Sequence, residues 1–178
     1  MNFMKKLSFM VVTCFLHSSF VFSQSLMVLG NTNISGDPTN FQLEAHLEVK
    51  NISDSTLIVV CEKNEIIMDT VGFSQSSNPT SNFCWGGTCY GNMTITSTKF
   101  DTIQPGVSSF EFSGYYQPWG HSSVGQVEYC FYLFSDPNDR TCVTVNYDAN
   151  KVTDLVDLTS QNIGYFSPNP SLDYTYIN

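Results

Sequence analysis

Positive charge is scarce in this sequence. Seven of its 178 residues are Lys or Arg and three are His, against 16 Asp and Glu. Beyond residue 6 the basic residues are Lys50, Lys63, Lys99, Arg140 and Lys151, and they form no cluster. A chain of this kind repels nucleic acid and anionic membrane surfaces rather than binding them. After the first two dozen residues no apolar run approaches the ~20 residues that span a bilayer. The groups of common catalysis are thin as well. Two histidines, His46 and His121, follow residue 23, no Gly-x-Ser-x-Gly elbow occurs, and Gly86-Gly87 is too short to cradle a phosphate and has no Lys behind it. Apolar material is plentiful, however. Aromatics make up 14% of the chain, enough to build a core and to exclude global disorder.

The first 23 residues read as a secretory signal helix. Lys5 and Lys6 form the charged start, Leu7 to Phe15 the apolar stretch, and Ser23 the small residue before cleavage at Gln24. His17, Ser18 and Ser19 break the run too early for a transmembrane anchor, and Val11-Val12-Thr13 before Cys14 is a poor lipobox. Removing Lys5 and Lys6 from the seven basic residues leaves five against 16 acidic, a net charge of −11. Export also decides how the remaining cysteines are read. In an oxidising compartment Cys61, Cys84, Cys89, Cys130 and Cys142 are disulfide candidates before they are metal ligands. Five is odd, so one thiol is left free and buried. Cys84 and Cys89 enclose a diglycine that lets the chain turn back, which favours a local bridge. Cys130 and Cys142 flank a late hairpin and can bridge across it. A one-residue change of register would put them on opposite faces, and Cys61 competes as a partner.

From Leu26 onward the pattern has period two. Phe41 to Val49 alternates, with Phe41, Leu43, Ala45, Leu47 and Val49 on one face. Thr56 to Cys61 is a β-branched buried run, and Val107 to Phe112 a short strand with Phe110 and Phe112 together. Gln126 to Phe134 places Val127, Tyr129, Phe131 and Leu133 inward, and Thr141 to Tyr147 follows after a loop of turn residues, Ser135 to Arg140. About seven or eight short strands with no convincing helix predict an all-β antiparallel sandwich over residues 24–149. Residues 150–163 read as a linker and 164–178 as an extended tail.

That tail holds Tyr165-Phe166-Ser167-Pro168-Asn169-Pro170, then Ser171-Leu172-Asp173 and a short strand to Ile177. Two prolines around Asn make a rigid turn between linker and strand. The stretch resembles the opening of the C-terminal sorting domain of type IX secretion cargo in Bacteroidetes, with Tyr165, Phe166, Pro168, Asn169 and Pro170 at the matching positions. Ser167 stands where that family usually has an aromatic residue, and one strand stands where several are usual. The resemblance implies export through the type IX machinery to the medium or the outer cell surface. With an incomplete signal the chain as written is expected to remain in the periplasm. The body resembles the immunoglobulin-like domains that precede such tails, on Phe83-Cys84-Trp85-Gly86 with Cys89-Tyr90-Gly91, on Tyr115 to Gly120, and on Phe131-Tyr132 with Asp136 to Asp139. That implies an immunoglobulin-like fold and leaves function open.

No cofactor motif is present. Cys84 and Cys89 lack a second ligand pair for zinc, and Asp136, Asn138 and Asp139 read as a turn before they read as a calcium site. Sixteen acids scatter along the chain, and no pair stands out as a glycosidase dyad. The candidate binding residues are therefore Tyr115, Tyr116 and Trp119, in one Gly- and Pro-containing loop, with His121 beside them. Exposed together, the rings would offer a stacking surface for a glycan or a surface protein; buried, they would cap the core. Trp85 is expected inside. The reading is a non-catalytic exported module with an adhesion, structural or binding role. The alternative is a carbohydrate-binding accessory module of a larger secreted hydrolase.

Overall fold

The computed structural model describes residues 24–69 and 78–150. The signal segment, the linker from residue 151 and the sorting motif at Tyr165, Phe166, Pro168, Asn169 and Pro170 lie outside these residues. Ten strands and no helix occur among the described residues. They are β1 (Leu26–Gly30), β2 (Asn33–Ser35), β3 (Leu43–Asn51), β4 (Leu57–Met68), β5 (Thr80–Trp85), β6 (Thr88–Tyr90), β7 (Asp101–Ile103), β8 (Ser108–Gln117), β9 (Val124–Leu133) and β10 (Asp136–Asp148). The expected count of seven or eight falls short because β2, β6 and β7 have three residues each, too few for an alternation to register.

The strands form two five-stranded sheets, ordered β1-β3-β8-β5-β6 and β2-β10-β9-β4-β7. All pairings are antiparallel except β2 with β10. The inner faces meet in a core rich in aromatic rings, the usual product of alternating strands packed face to face. Leu43, Ala45, Leu47 and Val49 of β3 and Val127, Tyr129 and Phe131 of β9 are buried as their alternation predicts. Phe112 packs edge-on against Tyr129 and Phe131, at ring separations of 4.8 and 5.2 Å. Trp85 is fully buried against Phe131, and its indole N–H donates to the carbonyl of Val59 at 2.9 Å, so its polar atom is satisfied. Gly114 leaves the space that two tyrosines occupy, since a Cβ there would lie within 2.8 Å of the Tyr129 and Tyr147 hydroxyls.

Three expectations need correction. Residues 135–140, expected as a loop, are mostly strand, since β10 begins at Asp136, which pairs with Leu133 across a tight turn and with an irregularity before Arg140. Phe110 and Phe112 do not share a face. Leu47 pairs with Phe112 but Val49 pairs with Ser109, so β8 carries one extra residue at this point. The bulge turns Ser109 inward and leaves Phe110 74% exposed. Phe41 is not the first inward residue of β3 either. Residues 37–40 are held in a turn, with Asn40 N–H donating to Asp37 O at 3.0 Å, and Phe41 emerges from it 71% exposed, two residues before β3 begins.

Candidate functional site

The segment that joins β8 to β9 crosses from one sheet to the other and begins with a tight turn. His121 N–H donates to Pro118 O at 3.1 Å, and the two central residues, Trp119 and Gly120, have φ of 55° and 83°. Positive φ at both positions is the mark of a type I′ turn, whose first central residue is ordinarily Asn, Asp or Gly. Trp119 is the one non-glycine residue with positive φ among the described residues. A left-handed backbone costs an ordinary L-residue about 1–2 kcal/mol. Here the turn is also fastened from outside, because Gly120 N–H donates to Pro38 O at 3.1 Å.

That link brings the 37–40 turn beside the 118–121 turn and puts two exposed rings together. Phe41 and Trp119 stand 6.3 Å apart at 83°, edge to face, with Trp119 48% exposed. They form a two-walled corner. Its rim is uncharged on the β5 and β8 side: the Trp119 indole N–H donates to Thr80 Oγ1 at 3.2 Å, and Thr80 Oγ1 donates to Gln117 Oε1 at 2.8 Å. Asp37 lies in the adjoining turn, with its carboxylate accepting from the Thr39 amide and hydroxyl at 2.8 and 2.6 Å.

The other candidates separate from this corner, and Tyr115 and Tyr116 lie in β8 rather than in the loop expected for them. Tyr116 is fully buried, stacked on Tyr147 at 5.4 Å, and donates its hydroxyl to Ser123 Oγ at 3.0 Å. Tyr115, one residue earlier, faces the opposite side of the sheet and is half-buried, its hydroxyl 3.9 Å from the sulfur of Cys84. His121 is half-buried and closes the turn through its backbone. The rings therefore do not make one platform. Phe41, which the sequence pattern put inside, takes the place of Tyr115 and Tyr116.

A second constellation lies on the outer face of the β3–β8 pair. Ser113 Oγ is 3.1 Å from His46 Nδ1, and His46 Nε2 is 3.2 Å from Glu44 Oε1. Sequence reading missed this chain because Ser113 and His46 are 67 residues apart; the alternation of β3 did place Glu44 and His46 on one polar face. The order of groups is that of a serine hydrolase, but the setting is not. β8 is paired on both sides at Ser113, with His46 and with Cys84, so the local backbone N–H groups point into the ladders instead of toward a reacting carbonyl. The His46 side chain is 68% exposed.

The cysteines form two bridges. Cys84 and Cys89 pair across the β5–β6 hairpin, and Cys130 and Cys142 face each other in the register of β9 and β10. Among the described residues Cys61 is the free thiol and is buried; loss of hydration pushes its pKa well up, with the charge of Glu62 adding to the shift. Glu128 lies with Cys130 and Cys142 within 4.8 Å, but the bridge occupies both sulfurs. Asp136 caps its own turn through Asn138, and the Asp139 carboxylate accepts from the Ser25 amide and hydroxyl, so these oxygens fasten chain segments. Asn51, in one of three Asn-x-Ser/Thr triplets, is fully buried, with its amide donating to Ser55 O and Ile103 O.

No protein-family model and no curated protein matches this sequence. Among solved structures, the chain is similar to the N-terminal domain of PorA, with 15% identity over 69% of this chain and 96% of that one and a TM-score of 0.47. A FixG-related protein from Vibrio parahaemolyticus gives 8% identity over 71% and 95%, with a TM-score of 0.41. A conjugative transposon lipoprotein from Bacteroides eggerthii gives 12% over 70% and 98%, with a TM-score of 0.39. None of these likenesses assigns a ligand or an activity.

Proposed function

We propose that this chain is an exported, non-catalytic binding module, acting at the outer cell surface or in the medium, whose ligand surface is the Phe41–Trp119 corner. The observation that carries the reading is the conformation of Trp119. A large aromatic residue occupies a turn position that favours Asn or Gly, and its ring remains exposed beside a second exposed ring. Backbone strain of this kind collects at ligand clamps and active sites, where the strained residue does something that a relaxed one would not.

Strand order supports an immunoglobulin-like sandwich. The runs β1-β3-β8-β5 and β4-β9-β10 follow the A-B-E-D and C-F-G orders of that fold. Two hallmarks differ: Trp85 lies on β5 rather than β4, and Cys130–Cys142 joins two strands of one sheet instead of joining the sheets. Export is supported by the charged and apolar pattern of residues 1–23, by the two disulfides, and by the likeness of Tyr165 to Pro170 to a type IX sorting motif. The non-catalytic reading is consistent with Ser113 lying mid-strand, with β8 paired there to His46 and to Cys84.

The test uses the full chain and its Trp119→Ala variant, incubated with intact cells and with insoluble extracellular polysaccharide. The wild type is retained and the variant is not; equal retention would contradict the assignment of this corner. Hydrolysis of peptide, ester and polysaccharide substrates by the wild type should not exceed that by Ser113→Ala. N-terminal sequencing of the exported protein should begin at Gln24.

A further inference from the structure

We infer that the Phe41–Trp119 corner binds one pyranose ring of a neutral glycan. This rests on the reading of that corner as the ligand surface, and names the chemistry it accepts.

The shape of the corner suits a sugar ring. Two rings 6.3 Å apart and 83° to one another give a floor and a wall. A pyranose has an apolar C–H face that stacks on an aromatic ring, and a hydroxyl edge that needs polar neighbours. The corner offers both. Thr80 Oγ1 takes the indole N–H of Trp119 and gives its own proton to Gln117 Oε1, which fixes the Gln117 side chain with its amide N–H groups directed away from that bond. Thr80 and Gln117 are thus uncharged polar groups beside the rings, suited to a sugar's hydroxyl edge.

A protein partner ordinarily covers about 800 Å² per side, with its anchors set inside a broad complementary patch. Among the described residues, the two rings are bordered by Asp37, Thr39, Asn40, Thr80 and Gln117, with Thr39 and Asn40 exposed. That scale suits a small rigid ligand.

The chain after Ser23 carries a net of −11, from five basic and 16 acidic residues. Uronate, sialate and sulfated sugars would be repelled, so the class is neutral.

Tryptophan fluorescence reads the proposal directly. The chain has two tryptophans, with Trp85 fully buried and Trp119 half-exposed, so acrylamide quenches Trp119 selectively. The full chain is titrated with neutral gluco-, galacto-, manno- and xylo-oligosaccharides at millimolar concentration, and with oligogalacturonate and sulfated oligosaccharides as the charged set. At least one neutral series should shield Trp119 from quenching. Loss of one ring contact in Phe41→Ala should weaken that series about tenfold, while Trp85 remains shielded as proof of folding. Shielding by the charged set alone, or by no sugar at all, overturns the neutral-glycan assignment. If no sugar shields Trp119 while retention on cells still depends on it, the sugar class fails and the corner stands. If retention is also unchanged in Trp119→Ala, both fail.

Discussion

Lys63 sits on the inward parity of β4, in line with Leu57, Val59 and Cys61, and is 3% exposed. Its ammonium donates to Glu65 Oε1, Ser81 O and Asn92 O at 2.9, 2.8 and 2.8 Å, so all three protons are used. It ties β4 to β5 and to the segment before residue 97. A buried cation is tolerated where its partners are complete, and removing it strands them. Glu65 is partly exposed and still accepts from Ser81 Oγ, so Lys63→Met chiefly leaves the Ser81 and Asn92 carbonyls unpaired and should lower stability by about 1–3 kcal/mol in denaturant titration. The buried tyrosines give a pH signature. Burial holds the Tyr129 hydroxyl well above its ordinary range, and neighbouring Tyr147 adds to it; burial raises Tyr147 and Tyr116 as well. The unfolded chain ionises tyrosine near pH 10, whereas the folded chain keeps these three protonated. Their contribution is complete below that value and falls as pH rises toward the folded pKa values. Of the nine tyrosines, these three should add their tyrosinate absorbance only as the chain unfolds above about pH 10. Separate transitions would mean that these rings are hydrated in the folded state.

Strands were legible where burial alone sets the pattern. Phe41 to Val49 and Gln126 to Phe134 alternate cleanly, and Leu43 to Val49 and Val127 to Leu133 are indeed inward. What the sequence hides is register. The bulge in β8 depends on which residue of β3 each position meets, and nothing local to Ser109 or Phe110 reports it. The same limit applies to Ser113 and His46, joined only by strand pairing, and to the corner, which depends on a Gly120–Pro38 bond between turns 82 residues apart. Trp119 was legible as a candidate because it lies in a Pro- and Gly-containing loop. Its ring's partner was not, because Phe41 fits the alternation of β3 and leaves it only through a turn at residues 37–40. The bulge is checked by two substitutions. Phe110→Ala should change stability by less than about 0.5 kcal/mol, and Phe112→Ala should cost about 3–5 kcal/mol. Similar losses at both positions would return Phe110 to the core.

For the molecule as a whole, two sheets, two short-range disulfides and a dense aromatic core make a rigid frame, and the functional reading places recognition at one of its turns. The outer face carrying Ser113, His46 and Glu44 lies on strands paired on both sides at Ser113. The Trp119 turn differs, because local backbone preference is spent there for an exposed ring. This separates stability from function in one residue. Trp119→Asn keeps a residue that accepts the left-handed backbone and removes the indole. The decisive measurement takes that variant through thermal unfolding and ligand retention side by side. The account predicts a variant that unfolds no more easily than the wild type, since relief of strain offsets the lost ring contact, and that no longer binds. A variant that binds as well as the wild type, or that loses binding only because it has unfolded, would contradict it.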